Sequence, residues 1–311
     1  MEFLYAITIG PFVQIAQDPQ FFLEVLVGGL LSGVLYSLVA LGYVLIYKAS
    51  GVFNYSQGIL VLFAALTLVG LIEKGVPIWL AALLTILVTT AVAFAVERLV
   101  LRPLVNQAQI ILFMATIGIS FFLEGLGQIM WGANVRTLDL GLPSGPFIVG
   151  GVLIQKFDLV AAVTAGVLVT VLALFFQKTA VGRALRAVAD DHQAALSVGI
   201  PLKQIWIIVW TVAGLVALVA GVMWGTNLGV QFSLALVALR ALPVLILGGF
   251  TSVPGAIVGG LIVGAAEKVG EVYWGPALGG AIEDWIAYVL ALIFLLFRPQ
   301  GLFGERIIER V

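Results

Sequence analysis

A short polar segment interrupts the apolar sequence near the start of the chain. Asn54, Ser56 and Gln57 lie between Gly51 and Gly58, with apolar runs on both sides. Polar groups at the start of a helix, together with its free backbone N–H groups, can bind the carboxylate or carbonyl group of a ligand. We therefore expect Asn54, Ser56, Gln57 and Gly58 to line the path of a small polar solute. The alternative is that Asn54 simply N-caps the following helix.

Three charged residues lie within apolar runs or near their ends, namely Glu124, Arg240 and Glu267. An ionised group inside a membrane is costly, so it should be paired, close to an interface or functional. Glu124 is deep in its predicted helix and Ser120 lies one turn earlier, so we expect both residues to line the same path. For Arg240 and Glu267 we expect an ion-pair cluster near the outer ends of their spans. This cluster also contains Lys268.

The polar segment of residues 178–203 has the pattern of two short helices. In the first helix, apolar residues recur at helical spacing and Arg183 and Arg186 lie off that stripe. Asp190 or Asp191 can N-cap the second helix, which is predicted to end at Gly199. Helices this short are marginally stable in water, so the segment must pack against something.

The second short helix contains Ala194, Ala195 and Leu196, whose side chains could form a small, flat surface. Such a surface allows another protein to approach closely. Two interpretations stay open at this point: the segment connects two spans and docks on its own bundle, or it binds a cytosolic partner.

The composition indicates that these polar residues belong to a membrane protein. Of the 311 residues, 62% are hydrophobic and 10% are charged, and the mean hydropathy is +1.19. A soluble domain carries about 25% charged residues, so this chain could not cover itself with a solvated surface. The net charge of −1 excludes nucleic-acid binding as a main activity. The absence of Cys and the single His exclude disulfide frameworks, common metal centres and a catalytic triad.

Nine apolar runs predict an all-α polytopic transmembrane bundle of about eight to ten spans. The runs are residues 22–47, 55–72, 77–101, 109–131, 158–177, 204–226, 236–249, 255–272 and 280–297. We expect residues 1–311 to form a single transmembrane domain that begins with an interfacial segment, residues 1–21. Within this segment, residues 3–17 either form a short interfacial helix or belong to a disordered or peripheral tail.

The distribution of Lys and Arg predicts how the chain is oriented. If Lys48 is inside, ten cationic residues lie inside and three lie outside. This places the C-terminus and the loop of residues 178–203 in the cytoplasm. Residues 132–157 then form an outer, periplasmic loop, whose turn residues and β-branched runs predict a hairpin or an extended flap.

Glycine pairs at four-residue spacing recur in these runs, and such small-residue faces allow helices to approach closely. The pairs are Gly29 and Gly33, Gly221 and Gly225, Gly255 and Gly259, and Gly260 and Gly264. They could serve ordinary packing, or they could let one half of the bundle rock on the other.

Gln193-Ala-Ala-x-x-x-Gly199 is similar to the coupling loop of ABC-importer permeases, and together with the stretch that precedes it resembles the version found in branched-chain amino acid permeases. The other similar stretches, in the order of the family, are Phe53-Asn-Tyr-Ser-Gln-Gly58, Glu97-Arg-Leu-Val-Leu-Arg-Pro103, Gly182-Arg-Ala-Leu-Arg-Ala-Val-Ala-Asp-Asp191, Leu247-Gly-Gly-Phe-Thr-Ser-Val-Pro-Gly-Ala256 and Arg298-Pro-Gln-Gly-Leu-Phe-Gly304.

This resemblance implies a bacterial inner-membrane permease subunit that imports a small polar metabolite, with amino acids favoured. It implies two cytosolic ATPase subunits, a second related permease in a heterodimer or homodimer, and a periplasmic solute-binding protein. ATPase coupling is assigned to Gly182, Arg183, Arg186, Asp190, Asp191, Gln193, Ala194, Ala195 and Gly199. The sequence contains no G-x-x-x-x-G-K-[ST] motif, so ATP and Mg²⁺ are expected on the partner subunits and no cofactor on this chain.

Two alternative functions stay open. An ion-coupled secondary transporter would work alone and would use Glu124 or Glu267 as its ion site. A urea or short-amide permease would keep the ATP-driven machinery and change the substrate. An enzyme is not expected, because the chain lacks a recognisable set of catalytic residues.

Overall fold

The computed structural model describes residues 2–104, 107–143, 145–190 and 192–304, which form fourteen α-helices and one hairpin. The helices are α1 (Glu2–Thr8), α2 (Gly10–Gln17), α3 (Pro19–Ser50), α4 (Gln57–Glu73), α5 (Ile78–Val96), α6 (Gln109–Trp131), α7 (Lys156–Lys178), α8 (Ala180–Asp190), α9 (His192–Ser197), α10 (Leu202–Leu228), α11 (Val237–Gly248), α12 (Val253–Tyr273), α13 (Gly275–Leu278) and α14 (Glu283–Phe297). The strands are β1 (Pro146–Val149) and β2 (Val152–Gln155). A π-helical turn (Glu97–Leu101) and a 3₁₀ turn (Arg102–Leu104) continue α5, and another 3₁₀ turn (Phe232–Leu236) precedes α11.

Each of the nine apolar runs contains a helix. Six helices in the described part of the chain are long and apolar enough to cross a membrane: α3, α5 with its continuation, α6, α7, α10 and α12. The remaining apolar helices are shorter, with 17 residues in α4, 12 in α11 and 15 in α14. Pro243 lies within α11 and removes one donor from its backbone hydrogen bonds.

The described residues form two compact units. The first contains the chain up to Ser37, residues Gly141–Gly166 and the chain from Arg240 onward, and the second contains Leu38–Leu140 and Val167–Leu239. Three of the boundaries lie inside α3, α7 and α11. The sequence shows no break at these points because each helix continues through them.

Helix α4 lies at the core of the second unit. All its residues from Gln57 to Gly70 are buried, which is expected for a helix that is apolar on every side. It packs against α5, α6 and α10. Gly221 of α10 lies so close to α4 that a Cβ atom there would overlap the carbonyl oxygen of Val61.

The first unit contains a close crossing of α3 and α12. A Cβ atom at Gly33 would overlap the carbonyl oxygen of Gly260, and one at Gly264 would overlap that of Gly29. Two of the small-residue pairs found in the sequence therefore face each other. Without side chains between them, the two helix backbones are in direct contact.

The loop of residues 132–157 contains the predicted hairpin. Strands β1 and β2 pair antiparallel, with Val149 opposite Val152. Gly150 and Gly151 join them with φ values of 60° and 88°. Two successive positive φ values match the right-handed twist of a tight hairpin, and glycine adopts them without steric cost. At the N-terminus, α1 and α2 replace the single short helix that the sequence predicted.

Two of the motifs that resemble permease sequences, Leu247–Ala256 and Arg298–Gly304, pack against each other in the first unit. The backbone N–H of Leu302 donates to the carbonyl of Leu247 (2.7 Å), and that of Phe303 donates to Gly248 (3.2 Å). The segment that follows α14 therefore satisfies carbonyl groups at the end of α11, which no helical N–H can reach.

Candidate functional site

The polar segment lies between α3 and α4 and is folded by its own side chains. The Asn54 carbonyl oxygen Oδ1 accepts hydrogen bonds from the backbone N–H (3.1 Å) and the hydroxyl (2.6 Å) of Ser56. Ser56 precedes the first residue of α4 and makes no side-chain capping bond. The bond from the Ser56 N–H to Oδ1 of Asn54 has the two-residue spacing of an N-cap, so the N-capping alternative and the path both stay open.

Three polar atoms of this segment are buried without a hydrogen-bond partner. They are Nδ2 of Asn54 and both Nε2 and Oε1 of Gln57, and both side chains are fully buried. Buried amides in native proteins are nearly always paired, so three unpaired atoms within four residues require an explanation. Together they offer two NH₂ groups as hydrogen-bond donors and one carbonyl oxygen as an acceptor, all without formal charge.

Two glycines let neighbouring backbones approach the segment closely. The Gln57 side chain lies against Gly42 of α3, where a Cβ atom would overlap the amide. Gly58 lies against Ala235 and Ala238, and a Cβ atom there would overlap the carbonyl oxygen of Ala235. Close packing therefore accounts for the glycine at position 58, which the sequence had assigned to the path.

Aromatic rings that the sequence analysis did not identify surround the segment. Phe53 stacks on Tyr43 with ring centroids 4.8 Å apart, and it also contacts Phe113 at 6.2 Å. Tyr55 meets Phe113 edge-on and donates its backbone N–H to the hydroxyl of Thr116 (3.0 Å). The pattern Phe53-x-Tyr55 was visible in the sequence, but its partners on α3 and α6 are brought near only by the fold.

Helix α6 carries a polar stripe that begins at this contact. Thr116, Ser120 and Glu124 follow one another at four-residue spacing and therefore share one helix face. Thr116 is buried, whereas Ser120 and Glu124 are half-buried. The structure thus links the 54–57 segment to the predicted path residues of α6 through Thr116.

In the segment of residues 178–203, which is predicted to couple to the ATPases, Arg183 and Arg186 bond carbonyl groups at the end of α7. The Arg186 guanidinium donates to the carbonyl oxygen of Phe176, and that of Arg183 donates to Lys178 (3.4 Å). Gly182 is packed against the backbone of Phe176, where no side chain would fit. Cationic groups stabilise the free carbonyls at a helix C-terminus. Through these two arginines, α8 contacts the C-terminal end of α7 directly.

The exposed surface of α9 differs from the one that the sequence predicted. Ala195 is only 2% exposed and packs inward, so it cannot belong to a docking surface. Ala194 is exposed, and so are Leu196 (53%) and Val198 (75%). The chain turns at Gly199, whose φ of 84° ends the helix as predicted.

Three predicted coupling residues cannot be placed fully. Asp191 lies outside the described residues, as do the side chains of Asp190 and Gln193. Their roles, including the predicted N-cap, stay predictions.

The first unit contains the expected cluster of ion pairs, although Glu283 and Asp284 supply the acids instead of Glu267. Arg240 pairs with Asp284 and with Glu283 (3.7 Å), and Lys268 also pairs with Glu283 (3.8 Å). Neither acid was predicted, because both lie in the first turn of α14 and reach the cluster only through the packing of α14 against α12.

Glu267 is buried and joins this cluster through a tyrosine. The Tyr36 hydroxyl accepts a hydrogen bond from Arg240 (3.3 Å) and hydrogen-bonds the carboxylate of Glu267. The buried carboxyl group of Glu267 therefore has a hydrogen-bond partner within its own unit, which explains how an acid is tolerated inside α12.

Comparison with known proteins identifies close relatives in sequence. The family described as "Branched-chain amino acid transport system / permease component" matches residues 25–298. The permease protein BraD of Pseudomonas aeruginosa, named for high-affinity branched-chain amino acid transport, is 31% identical over 93% of this chain and 98% of its own length. The LivH permease of Escherichia coli K12, named for the same transport, is 28% identical over 94% of this chain and 98% of its own length.

More distant similarities extend beyond these proteins. The fructose import permease protein FruG of Bifidobacterium longum is 24% identical over 80% of this chain and 74% of its own length. Among solved structures, PsaBC from Streptococcus pneumoniae in complex with Fab matches with a TM-score of 0.50 at 15% identity, over 94% of this chain and 98% of that one. At this identity the match supports the fold alone.

Proposed function

The chain belongs to the family of branched-chain amino acid transport permease components, and from this premise we propose that it is the membrane-spanning subunit of an ATP-driven amino acid importer. Relatives named for that transport align over nearly the whole of both chains, which supports a shared architecture. The six long apolar helices make the chain a multi-pass membrane protein. We assign it to the bacterial inner membrane.

The unpaired amides of the polar segment carry the proposal that this chain contacts the solute. A substrate carboxylate can accept hydrogen bonds from Nδ2 of Asn54 and Nε2 of Gln57, and a substrate ammonium group can donate to Oε1 of Gln57. An amino acid has both groups. In this proposal the path opens at the segment during transport, and Ser120 and Glu124 of α6 line its continuation.

ATP hydrolysis is assigned to partner subunits. We propose two cytosolic ATPases that hold ATP and Mg²⁺, a second related permease and a periplasmic binding protein that delivers the solute. The ATPases would dock on α8 and α9, where Leu196 and Val198 offer exposed apolar side chains. Because Arg183 and Arg186 bond the end of α7, movement of the docked helices would be transmitted directly to that span.

Reconstitution in proteoliposomes tests the energy source. With the ATPases, the second permease and the binding protein present, we expect uptake of labelled leucine that requires ATP. Uptake driven by a proton or sodium gradient through this chain alone would overturn the proposal and favour the secondary transporter. Unlabelled fructose serves as a competitor, because one relative is named for fructose import. We expect fructose to leave leucine uptake unchanged.

The docking assignment is tested by replacing one exposed residue of α9. Leu196→Glu should abolish co-purification of the ATPases and leave the folded permease intact, because the new charge stays in water. Leu153→Glu, on the exposed hairpin, is the matched control and should keep the ATPases bound. Ala195→Glu would be uninformative, because it would bury an unpaired charge and destabilise the permease itself. Normal ATPase binding by Leu196→Glu would refute the docking surface.

A further inference from the structure

An apolar groove runs along the second unit between α5 and α6. Both helices pack against α4, and Phe63 of α4 contributes to the groove wall. The groove has a volume of about 630 Å³, and none of its lining residues carries a charged, hydroxyl or amide side chain. Because α5 and α6 are membrane-crossing helices, a groove on their outer side faces hydrocarbon rather than water.

The dimensions of the groove fit a lipid chain. Along α5 and the π-helical turn that continues it, the groove extends from Val88 to Val100, and along α6 from Ala115 to Met130. At about 1.5 Å per residue these stretches are roughly 18 and 22 Å long. One leaflet of a bilayer is about 15 Å deep in hydrocarbon, so an extended acyl chain can lie along the groove. Gly118 of α6 lines the groove one turn from Ala115. Nothing lies within 4 Å of the position where its Cβ would be, so a larger side chain there would occupy open space.

One end of the groove is basic. Leu99 and Val100 line that end, and the exposed side chains of Arg98 and Arg102 extend from the same turn of helix. The Arg98 guanidinium lies 5.8 Å from the ring centroid of Phe94, one turn back along the span. Within the described part of the chain, neither arginine forms an ion pair. Basic groups at the end of a groove between membrane helices complement the phosphate of an anionic lipid.

We propose that this groove is a binding site for one anionic phospholipid, whose acyl chain lies between α5 and α6 and whose phosphate pairs with Arg98 and Arg102. The two guanidinium groups favour a lipid over a span of another permease, because a span would have to bring its own acids to this end. The site is separate from the proposed solute path and from the ATPase docking surface.

Filling the groove tests the acyl-chain part of the proposal. The full chain, in the complex in which it is purified, is titrated with phosphatidylglycerol or phosphatidylcholine and bound lipids are counted by native mass spectrometry. Gly118→Leu should remove one tightly held lipid of either headgroup. Gly125→Leu is the matched control, because Gly125 lies on the same helix in equally open space outside the groove. Equal lipid retention by the two variants would overturn the proposal.

Removing the charges tests the headgroup part without altering the groove. We expect R98Q/R102Q to weaken phosphatidylglycerol binding about thirty-fold, which corresponds to about 1 kcal/mol for each charge. Phosphatidylcholine binding should be unchanged. K178Q/R298Q removes the same number of exposed charges elsewhere and should have no effect on either lipid. Unchanged phosphatidylglycerol binding by R98Q/R102Q would contradict the proposal even if the Gly118 variant failed to fold.

A protein occupant would also overturn the proposal. The chain contains no cysteine, so Phe122→Cys places a single thiol on the groove wall. We expect no disulfide between permease chains in membranes treated with oxidant. A disulfide-linked pair of chains would show that another span covers the groove.

Discussion

Buried amides without partners have a cost, since each such group forfeits its hydrogen bonds to water at about 1–3 kcal/mol. Gln57 leaves both of its polar atoms unpaired and Asn54 leaves one. An apolar side chain of similar size at position 57 would avoid that penalty. Under the proposed function, the transported solute supplies the missing partners.

Gln57→Leu separates the ligand-binding role from a structural role. We expect the variant to be as stable as the parent chain or more stable, because it removes unpaired polar atoms from a buried site. Uptake of leucine should fall about tenfold or more, since a hydrogen bond to a charged group contributes about 1.5–3 kcal/mol. Uptake in proteoliposomes and unfolding in detergent measure the two effects.

The control for Gln57→Leu is Thr67→Val on the same helix. The Thr67 hydroxyl is buried but already bonded to the carbonyl of Phe63 (2.8 Å), so its loss should leave uptake unchanged. Full transport activity in the Gln57 variant would show that the amide does not contact the solute.

Single residues were partly predictable from the sequence. Asn54 and Gln57 stand out because polar residues in an apolar run require a reason, whereas Thr116 and Phe113 belong to α6 and reach the segment only through the fold. Ala195 was misjudged for a related reason. In a six-residue helix rich in small side chains, the pattern does not indicate which face packs inward.

At the scale of helices, the spacing of glycines predicts that another helix packs closely against them. It does not indicate which helix that is. All four predicted pairs contain a glycine whose Cβ would overlap a neighbouring backbone or side chain. Gly255 and Gly259 lie against Gly248 of α11, and Gly221 lies against α4. The choice of partner depends on the fold, because every small-residue face is equally able to accept a backbone.

The crossing of α3 and α12 should be sensitive to a single methyl group. Gly33→Ala is expected to lower the free energy of unfolding by about 1–3 kcal/mol, because the added Cβ meets the backbone of Gly260, which cannot move aside cheaply. Gly28→Ala, in the same helix, has open space around it and should be neutral or slightly stabilising. Unfolding in sodium dodecyl sulfate, followed by circular dichroism, compares them. Equal stability would show that the two backbones are not in contact.

For the whole molecule, hydropathy predicted the positions of all nine apolar helices. It did not predict which of them are buried by other helices and which are exposed. Helices α4 and α5 are both strongly apolar, yet α4 is buried on all sides and α5 exposes large residues such as Trp79 and Leu87. Uniformly apolar helices show no polar face, so the sequence does not distinguish a core helix from one that faces lipid. The division into two units was equally hidden, because its boundaries lie within helices.

The orientation predicted from the cationic residues concerns the whole molecule and can be measured directly. Because the chain has no cysteine, a single one can be placed at Ile148 on the hairpin or at Val198 after α9, which are 71% and 75% exposed. An impermeant maleimide should label Ile148→Cys in spheroplasts. Val198→Cys should be labelled only after the membrane is opened, because the positive-inside rule places the coupling segment in the cytoplasm. Labelling of Val198→Cys in sealed spheroplasts would place α8 and α9 where no cytosolic ATPase could bind them.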